Sequence, residues 1–259
     1  MAEEALLIDV SRCTGCRACQ VACKEWNQLP GEATAFTGTY QNPPDLSAAT
    51  WTLVRFTEVA EGGQVRWLFR KAQCMHCSMA VCHAVCPQGA VTKHPEGYVV
   101  IDQVKCNGCM KCVDMCPFQV PKLNPTTNRA VKCTFCIDRV TNGLPPACAK
   151  TCTAGAIQYG TRARLLREAL ERAARMHPRG HVFGERELAG LHVLYLLPEA
   201  PAAYGLPAGL LAGGAPPRTG RPFRHGRITA AGALAVALGG LVAFRRRGGG
   251  AASAEGPEP

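Results

Sequence analysis

Aromatic residues are scarce in this chain, 6% of 259 residues against 47% hydrophobic residues overall. The hydrophobic fraction excludes a disordered chain, but few large rings are available to fill the interior, so something else must help to hold the core. Acidic residues are also short, with 19 Asp and Glu against 29 Lys and Arg and a formal net charge of +10. Such an excess ordinarily points to an anionic partner, yet no basic patch interleaved with aromatics supports nucleic acid. Met1 to Val10 carries Glu3 and Glu4 where a secretory signal needs positive charge, and no apolar region follows, so no export signal is expected. Apolar runs are short as well: Ile228 to Phe244, near the C-terminus, reaches 17 uncharged residues, the lower limit for a spanning helix.

Cysteine is abundant, and all 16 lie between Cys13 and Cys152. They fall into four groups of four. Cys13, Cys16, Cys19 and Cys23 read C-x2-C-x2-C-x3-C, a spacing repeated by Cys106, Cys109, Cys112 and Cys116, with Pro117 after it. Cys74, Cys77, Cys82 and Cys86 read C-x2-C-x4-C-x3-C, while Cys133, Cys136, Cys148 and Cys152 read C-x2-C-x11-C-x3-C. Self-similarity at a fixed offset marks duplicated units. Ile8-Asp9-x3-Cys13-x-Gly15-Cys16 recurs 93 residues later as Ile101-Asp102-x3-Cys106-x-Gly108-Cys109. Cys82-x3-Cys86-x2-Gly89-Ala90-Val91 recurs 66 residues later as Cys148-x3-Cys152-x2-Gly155-Ala156-Ile157.

Thiols at every third residue allow a loop to wrap a [4Fe–4S] cube, with three thiolates on three iron corners and backbone N–H groups turned toward sulfide. Zinc sites use C-x2-C pairs but need no third thiol three residues on, and cysteines this close in sequence are poorly placed to pair as disulfides. In two-cluster ferredoxins the fourth cysteine of each run ligates the other cluster. Applied to both repeats, that rule puts Cys13, Cys16, Cys19 and Cys152 on one cube, with Cys133, Cys136, Cys148 and Cys23 on its neighbour. The second pair is Cys74, Cys77, Cys82 and Cys116, with Cys106, Cys109, Cys112 and Cys86. Each cluster with its ligands carries about −2, so four clusters take the net charge of +10 down to roughly +2. The basic excess then reads as compensation for buried anionic cofactors.

The expected fold is α+β, with two ferredoxin-like domains of two clusters each and one C-terminal transmembrane helix. Residues 1–30 and 121–160 form the first domain and 71–120 the second. An insertion over 31–70 contains a hairpin, Trp51 to Phe56 and Val65 to Phe69 about the turn Gly62-Gly63. Residues 161–227 hold an amphipathic helix from Thr161 to Met176, a strand from Leu191 to Leu197, and a loosely structured Gly/Pro-rich linker from Pro198. Brief strands such as Tyr98 to Ile101 are expected beside the cysteines, and a helical turn between the third and fourth of each group. Residues 228–244 make the membrane helix. Residues 245–259 make a basic, then disordered, tail.

The stretch LLIDVSRCTGCRACQVACKEWN, the segment WTLVRF, the run KCTFCIDRVTNGLPPACAKTC and the C-terminal apolar segment together resemble the iron–sulfur (beta) subunits of membrane-bound formate dehydrogenases. The ferredoxin part is shared with the beta subunits of dimethyl sulfoxide, polysulfide and nitrate reductases, and the tryptophan-bearing insertion narrows the likeness. Nitrate reductase subunits typically replace one cysteine by tryptophan; here all sixteen are present. Thr153 stands where the family usually has proline. The resemblance implies an electron-transfer subunit without a catalytic site of its own. A separate alpha subunit with a molybdenum or tungsten pterin would oxidise formate, and a membrane cytochrome b (gamma) subunit would pass the electrons to quinone. Export would be folded, carried by the alpha partner's twin-arginine signal.

His76 and His83 sit between cysteines whose thiolates already fill the cluster sites, so neither is expected to be a ligand and a surface or supporting place is expected for both. Arg12, Arg17, Lys24, Lys105, Lys111 and Lys132 adjoin ligands and either raise cluster potentials or lie solvated. Ala231, Ala235 and Gly239 offer a small-residue face to a partner helix. Arg245-Arg246-Arg247 after the span places the C-terminus in the cytoplasm and the clusters on the periplasmic side of the inner membrane.

Overall fold

The computed structural model describes residues 2–210 except 177 and 179. The expected membrane helix and tail therefore lie outside the described residues. Among the described residues no helix is long and apolar enough to cross a membrane.

Alternating apolar residues build the central sheet. Strand β1 (Glu4–Asp9) is followed by helix α1 (Ala18–Trp26), then by the long hairpin β2 (Leu53–Glu61) and β3 (Gln64–Ala72). Short elements come next: α2 (Val81–Ala84), β4 (Val91–Lys93), β5 (Val99–Ile101), α3 (Lys111–Met115), β6 (Lys122–Asn124), β7 (Arg129–Val131), α4 (Ile137–Val140) and α5 (Ala147–Lys150). The chain closes with β8 (Ile157–Thr161), α6 (Arg162–Arg175), β9 (His181–Phe183) and β10 (Val193–Leu197). One four-stranded sheet has the order β8-β1-β10-β9, with β1 parallel to β10 and the outer pairs antiparallel. The pairs β2-β3, β4-β5 and β6-β7 are separate hairpins.

The sheet has two apolar faces, as the period of two requires. Ala5, Leu7, Leu194 and Leu196 point to one side and pack against Leu165 and Ala169 of α6. Leu6, Ile8, Val193, Tyr195 and Leu197 point to the other side, into a core that also contains Cys19, Cys148 and Phe135. Helix α6 thus covers the back of the sheet, and the thiols gather at its front. The buried Asp9 accepts hydrogen bonds from the Ser11 backbone N–H and hydroxyl and pairs with Arg172 of α6, which ties that helix to the first cysteine loop.

The insertion hairpin forms as its turn residues predict. Gly62 and Gly63 both have positive φ, 59° and 78°, which fits the two-residue turn between Glu61 and Gln64. The amphipathic helix and the last strand also form, two or fewer residues shorter at each end than their sequence patterns. Residues 198–210 depart from a loose linker, and the rest of that stretch, 211–220, lies outside the described residues. Tyr204, Leu206 and Leu210 are buried in the main core, and the Leu188 N–H donates to the Leu210 carbonyl. Three apolar side chains inside a Gly/Pro-rich sequence are enough to fasten it. Hairpin β6-β7 packs beside the second four-cysteine repeat, since the Ala130 N–H donates to Cys106 Sγ at 3.4 Å.

Because the α6 face of the sheet holds no cysteine, Leu165→Ala is expected to cost about 2–5 kcal/mol. A lower melting temperature with unchanged iron content checks this.

Candidate metal centres

Every cysteine loop owes its shape to a few backbone positions. The sequence repeat is also a conformational repeat: Gly15 and Gly108 have φ of 67° and 74°, and Arg17 and Met110, each preceding a helix, have φ of 61°. Asp9 N–H donates to the Ala156 carbonyl at 2.8 Å, and its counterpart Asp102 N–H donates to the Ala90 carbonyl at 2.7 Å. Each first-type loop is thereby docked on a second-type loop from a distant part of the chain. The third-to-fourth spacing forms the expected helical turns, on α1, α2, α3 and α5.

The docking brings thiols together in sets that cut across the sequence groups. One cavity is lined by Cys13, Cys16, Cys19 and Cys152, with Ile8, Val54 and Lys71 in its wall. Another is lined by Cys86, Cys106, Cys109 and Cys112. Cys23 lies near Cys136 and Cys148, and Cys133 near Cys23 and Cys136. Cys77 has Cys74, Cys116 and Cys82 around it. Neighbouring sets also lie within electrostatic reach of one another. Cys19 feels Cys148, Cys133 feels Cys74, and Cys112 feels Cys82.

Several of these thiols sit where a proton is hard to lose. Burial pushes Cys19 up to about 12, against the nearby Lys71 charge that lowers it. The same burial, with the same opposition from Lys71, pushes Cys23 up to about 12. Burial and the adjoining thiols push Cys112 up to about 12, and burial also drives Cys77 and Cys133 well above an ordinary thiol. Sixteen thiolates packed this way repel one another unless a cation sits among them. The core of a [4Fe–4S] cluster is such a cation, and it binds thiolate.

Orphaned donors point to the same guest. Among the described residues, the buried side-chain polar atoms without a partner are Arg17 Nε, Gln73 Nε2, His76 Nε2 and Asn42 Oδ1. The first three are N–H donors next to Cys16, Cys74 and Cys77, and sulfur atoms of a bound cluster would accept from them. No three His, Cys, Asp or Glu side chains among the described residues converge on a point that would hold a single metal ion, the arrangement a zinc module requires. The thiols surround volumes instead.

The two histidines divide between the surface and supporting places expected of them. His76 is not at the surface: it is fully buried, and its Nδ1 accepts from the Val99 N–H at 3.0 Å. Burial, then the Lys132 charge, holds it neutral and well below an ordinary histidine. His83 is partly exposed, with Nδ1 2.6 Å from the Val91 carbonyl. Of the six basic residues singled out beside ligands, only Lys132 is buried. The spacing of ligands also gave no hint of Lys71, wholly buried on β3. The available signal was its register: Trp67, Phe69 and Lys71 share one face of the strand, so the lysine occupies a position the pattern reserves for an apolar residue.

Comparison with known proteins agrees with the geometry. A family model for a 4Fe-4S dicluster domain matches residues 65–162, and one for a 4Fe-4S binding domain matches residues 4–25. The iron–sulfur subunit of the nitrate-inducible formate dehydrogenase of Escherichia coli K12 is 46% identical over 214 residues, covering 80% of this chain and 73% of that one. The formate dehydrogenase iron–sulfur subunit of Haemophilus influenzae is 44% identical, covering 79% and 69%. The chain belongs to the formate dehydrogenase iron–sulfur subunits. Formate dehydrogenase 2 subunit beta (cytochrome c-553) of Nitratidesulfovibrio vulgaris is 37% identical and covers 80% of this chain and 99% of its own length. As a member of this family the protein carries [4Fe–4S] clusters and transfers electrons, and sixteen cysteines match four clusters at four ligands each.

Gly108 tests how tightly one loop is wrapped. A Cβ there would lie 2.2 Å from the Asn128 carbonyl oxygen, whereas one at Gly89, which shares the positive φ (56° against 74°), meets nothing within 4 Å. Gly108→Ala is expected to lose about four of sixteen irons while Gly89→Ala keeps them, as measured by iron content per chain.

Proposed function

We propose that this subunit is a four-cluster relay between a pterin-containing formate dehydrogenase catalytic subunit and an acceptor at the membrane. In this reading Cys13, Cys16, Cys19 and Cys152 hold the first cluster, and Cys23, Cys133, Cys136 and Cys148 the second. Cys74, Cys77, Cys82 and Cys116 hold the third, and Cys86, Cys106, Cys109 and Cys112 the fourth. When bound, a [4Fe–4S] cluster supplies a one-electron couple at a potential set by charge, hydrogen bonds and exposure.

The observation that carries the reading is the serial arrangement of the thiol sets. The electrostatic influence of Cys148 on Cys19, of Cys74 on Cys133 and of Cys82 on Cys112 supports a first-to-fourth order. The exposed thiols, Cys16 and Cys109, belong to the first and the fourth sets. All four ligands of the second set are buried. Tunnelling falls off exponentially with distance, so a relay needs close neighbours inside and an open edge at each end. The chain's own contribution is placement and exclusion of water; no residue is required as acid, base or nucleophile.

The acceptor proposed is a cytochrome b subunit feeding quinone. The chain would be held by residues 228–244 as a single span, with the cluster body on the periplasmic side of the inner membrane. The 17 uncharged residues and the following Arg245-Arg246-Arg247 support that placement. One observation favours a second acceptor, a c-type cytochrome. The Nitratidesulfovibrio vulgaris relative, whose name includes cytochrome c-553, is matched over 99% of its length by only 80% of this chain.

Formate added to the anaerobic complex is expected to bleach the cluster absorbance, and a quinone analogue to restore it. Restoration by a c-type cytochrome alone would favour the second acceptor, and no bleaching by formate would overturn the relay reading. The ligand partition has its own check. Cys13→Ser with Cys152→Ser touches one proposed cluster, and Cys13→Ser with Cys23→Ser touches two, so the expected losses are about four and about eight irons.

A further inference from the structure

We propose that the buried ammonium of Lys71 raises the reduction potential of the cluster held by Cys23, Cys133, Cys136 and Cys148. On this account that cluster is the most easily reduced of the four. The inference rests on the relay reading above and names a residue that controls it.

Lys71 is completely buried, and the only polar contact of its Nζ described is the Thr52 hydroxyl at 3.0 Å. No carboxylate forms an ion pair with it among the described residues. A charge removed from water this way needs an opposite charge close by. The groups that supply it are sulfurs: Cys148, Cys19, Cys133 and Cys23, three from this cluster's set and one from the first set, whose cavity Lys71 also lines. The side chain is fixed from the backbone too, because the Tyr195 hydroxyl donates to the Lys71 carbonyl and β3 pairs Lys71 with the buried Val54.

A second buried lysine reinforces the asymmetry. Lys132 donates to the carbonyls of Val99 and Cys133 and faces Cys74, Cys82 and Cys133. Cys133 therefore has an ammonium on two sides. The Cys86, Cys106, Cys109 and Cys112 set has no such neighbour: the charges that act on Cys112 are those of other thiols. Reduction adds one electron to an already anionic site and moves no bond and no proton, so a fixed positive charge nearby favours the reduced form.

The test is an electron paramagnetic resonance titration of the full chain with its clusters in place. The relevant signal is the one that Cys23→Ser alters. Lys71→Met is expected to make reduction of that cluster at least tenfold less favourable, a downward shift of about 59 mV for a one-electron couple. The cluster of the Cys106 set should stay where it was, and Lys71→Arg, which keeps the charge, should restore most of the shift. Four intact signals with no movement in Lys71→Met, or an equal movement in all four, would overturn the proposal. A purely structural role would disturb Lys71→Arg and Lys71→Met alike. Should Lys71→Met lose iron, Lys71→Gln decides, since it also removes the charge but keeps a polar side chain at that position; no shift of the same cluster there also overturns the proposal. Absence of any cluster signal in the unaltered chain would instead overturn the relay reading.

Discussion

Gathering sixteen thiols within about 140 residues, seven of them buried, creates an electrostatic problem on which the rest of the structure depends. Without a cationic guest, burial disfavours the charged form of Cys19, Cys23, Cys112 and Cys133. With one they become thiolate ligands, and the loops acquire the centre their own side chains cannot provide. The scarcity of aromatics has the same origin. Cysteines stand among the buried core residues where rings would stand in an ordinary domain, and the apolar sheet supports them from behind.

The architecture follows from that division of labour. One face of the β8-β1-β10-β9 sheet binds α6 by ordinary apolar packing, and the other forms the floor of the thiol core. Loops distant in sequence are pinned to each other through backbone hydrogen bonds such as Asp9 to Ala156 and Asp102 to Ala90. Those pins mix the sequence groups into spatial sets. A series of sets with an exposed thiol in each terminal set is then available for moving charge in single steps.

Much of this was legible in the sequence because the informative signals are local. Cysteine spacing, the two repeats and the Gly62-Gly63 turn each depend on residues a few positions apart, and each has a counterpart in the structure. Signals that depend on distant packing were not legible. The sequence leaves His76 either at the surface or in a supporting place, and the loop between Cys74 and Cys77 carries it inside, where Phe135 and the Val99 N–H meet it. Lys71 reads as the charged end of a hairpin strand; only the arrival of four thiols from α1, α5 and the Cys133 loop gives it a counter-charge. The Pro198 to Leu210 stretch reads as a linker by composition, and three apolar side chains decide otherwise.

Iron and acid-labile sulfide counted on the same anaerobic sample, with Mössbauer spectra to define the iron environment, test the central claim most directly. The account predicts about sixteen of each per chain, all iron in four-sulfur cubane sites. Zinc in place of iron, or iron without matching sulfide, would contradict it.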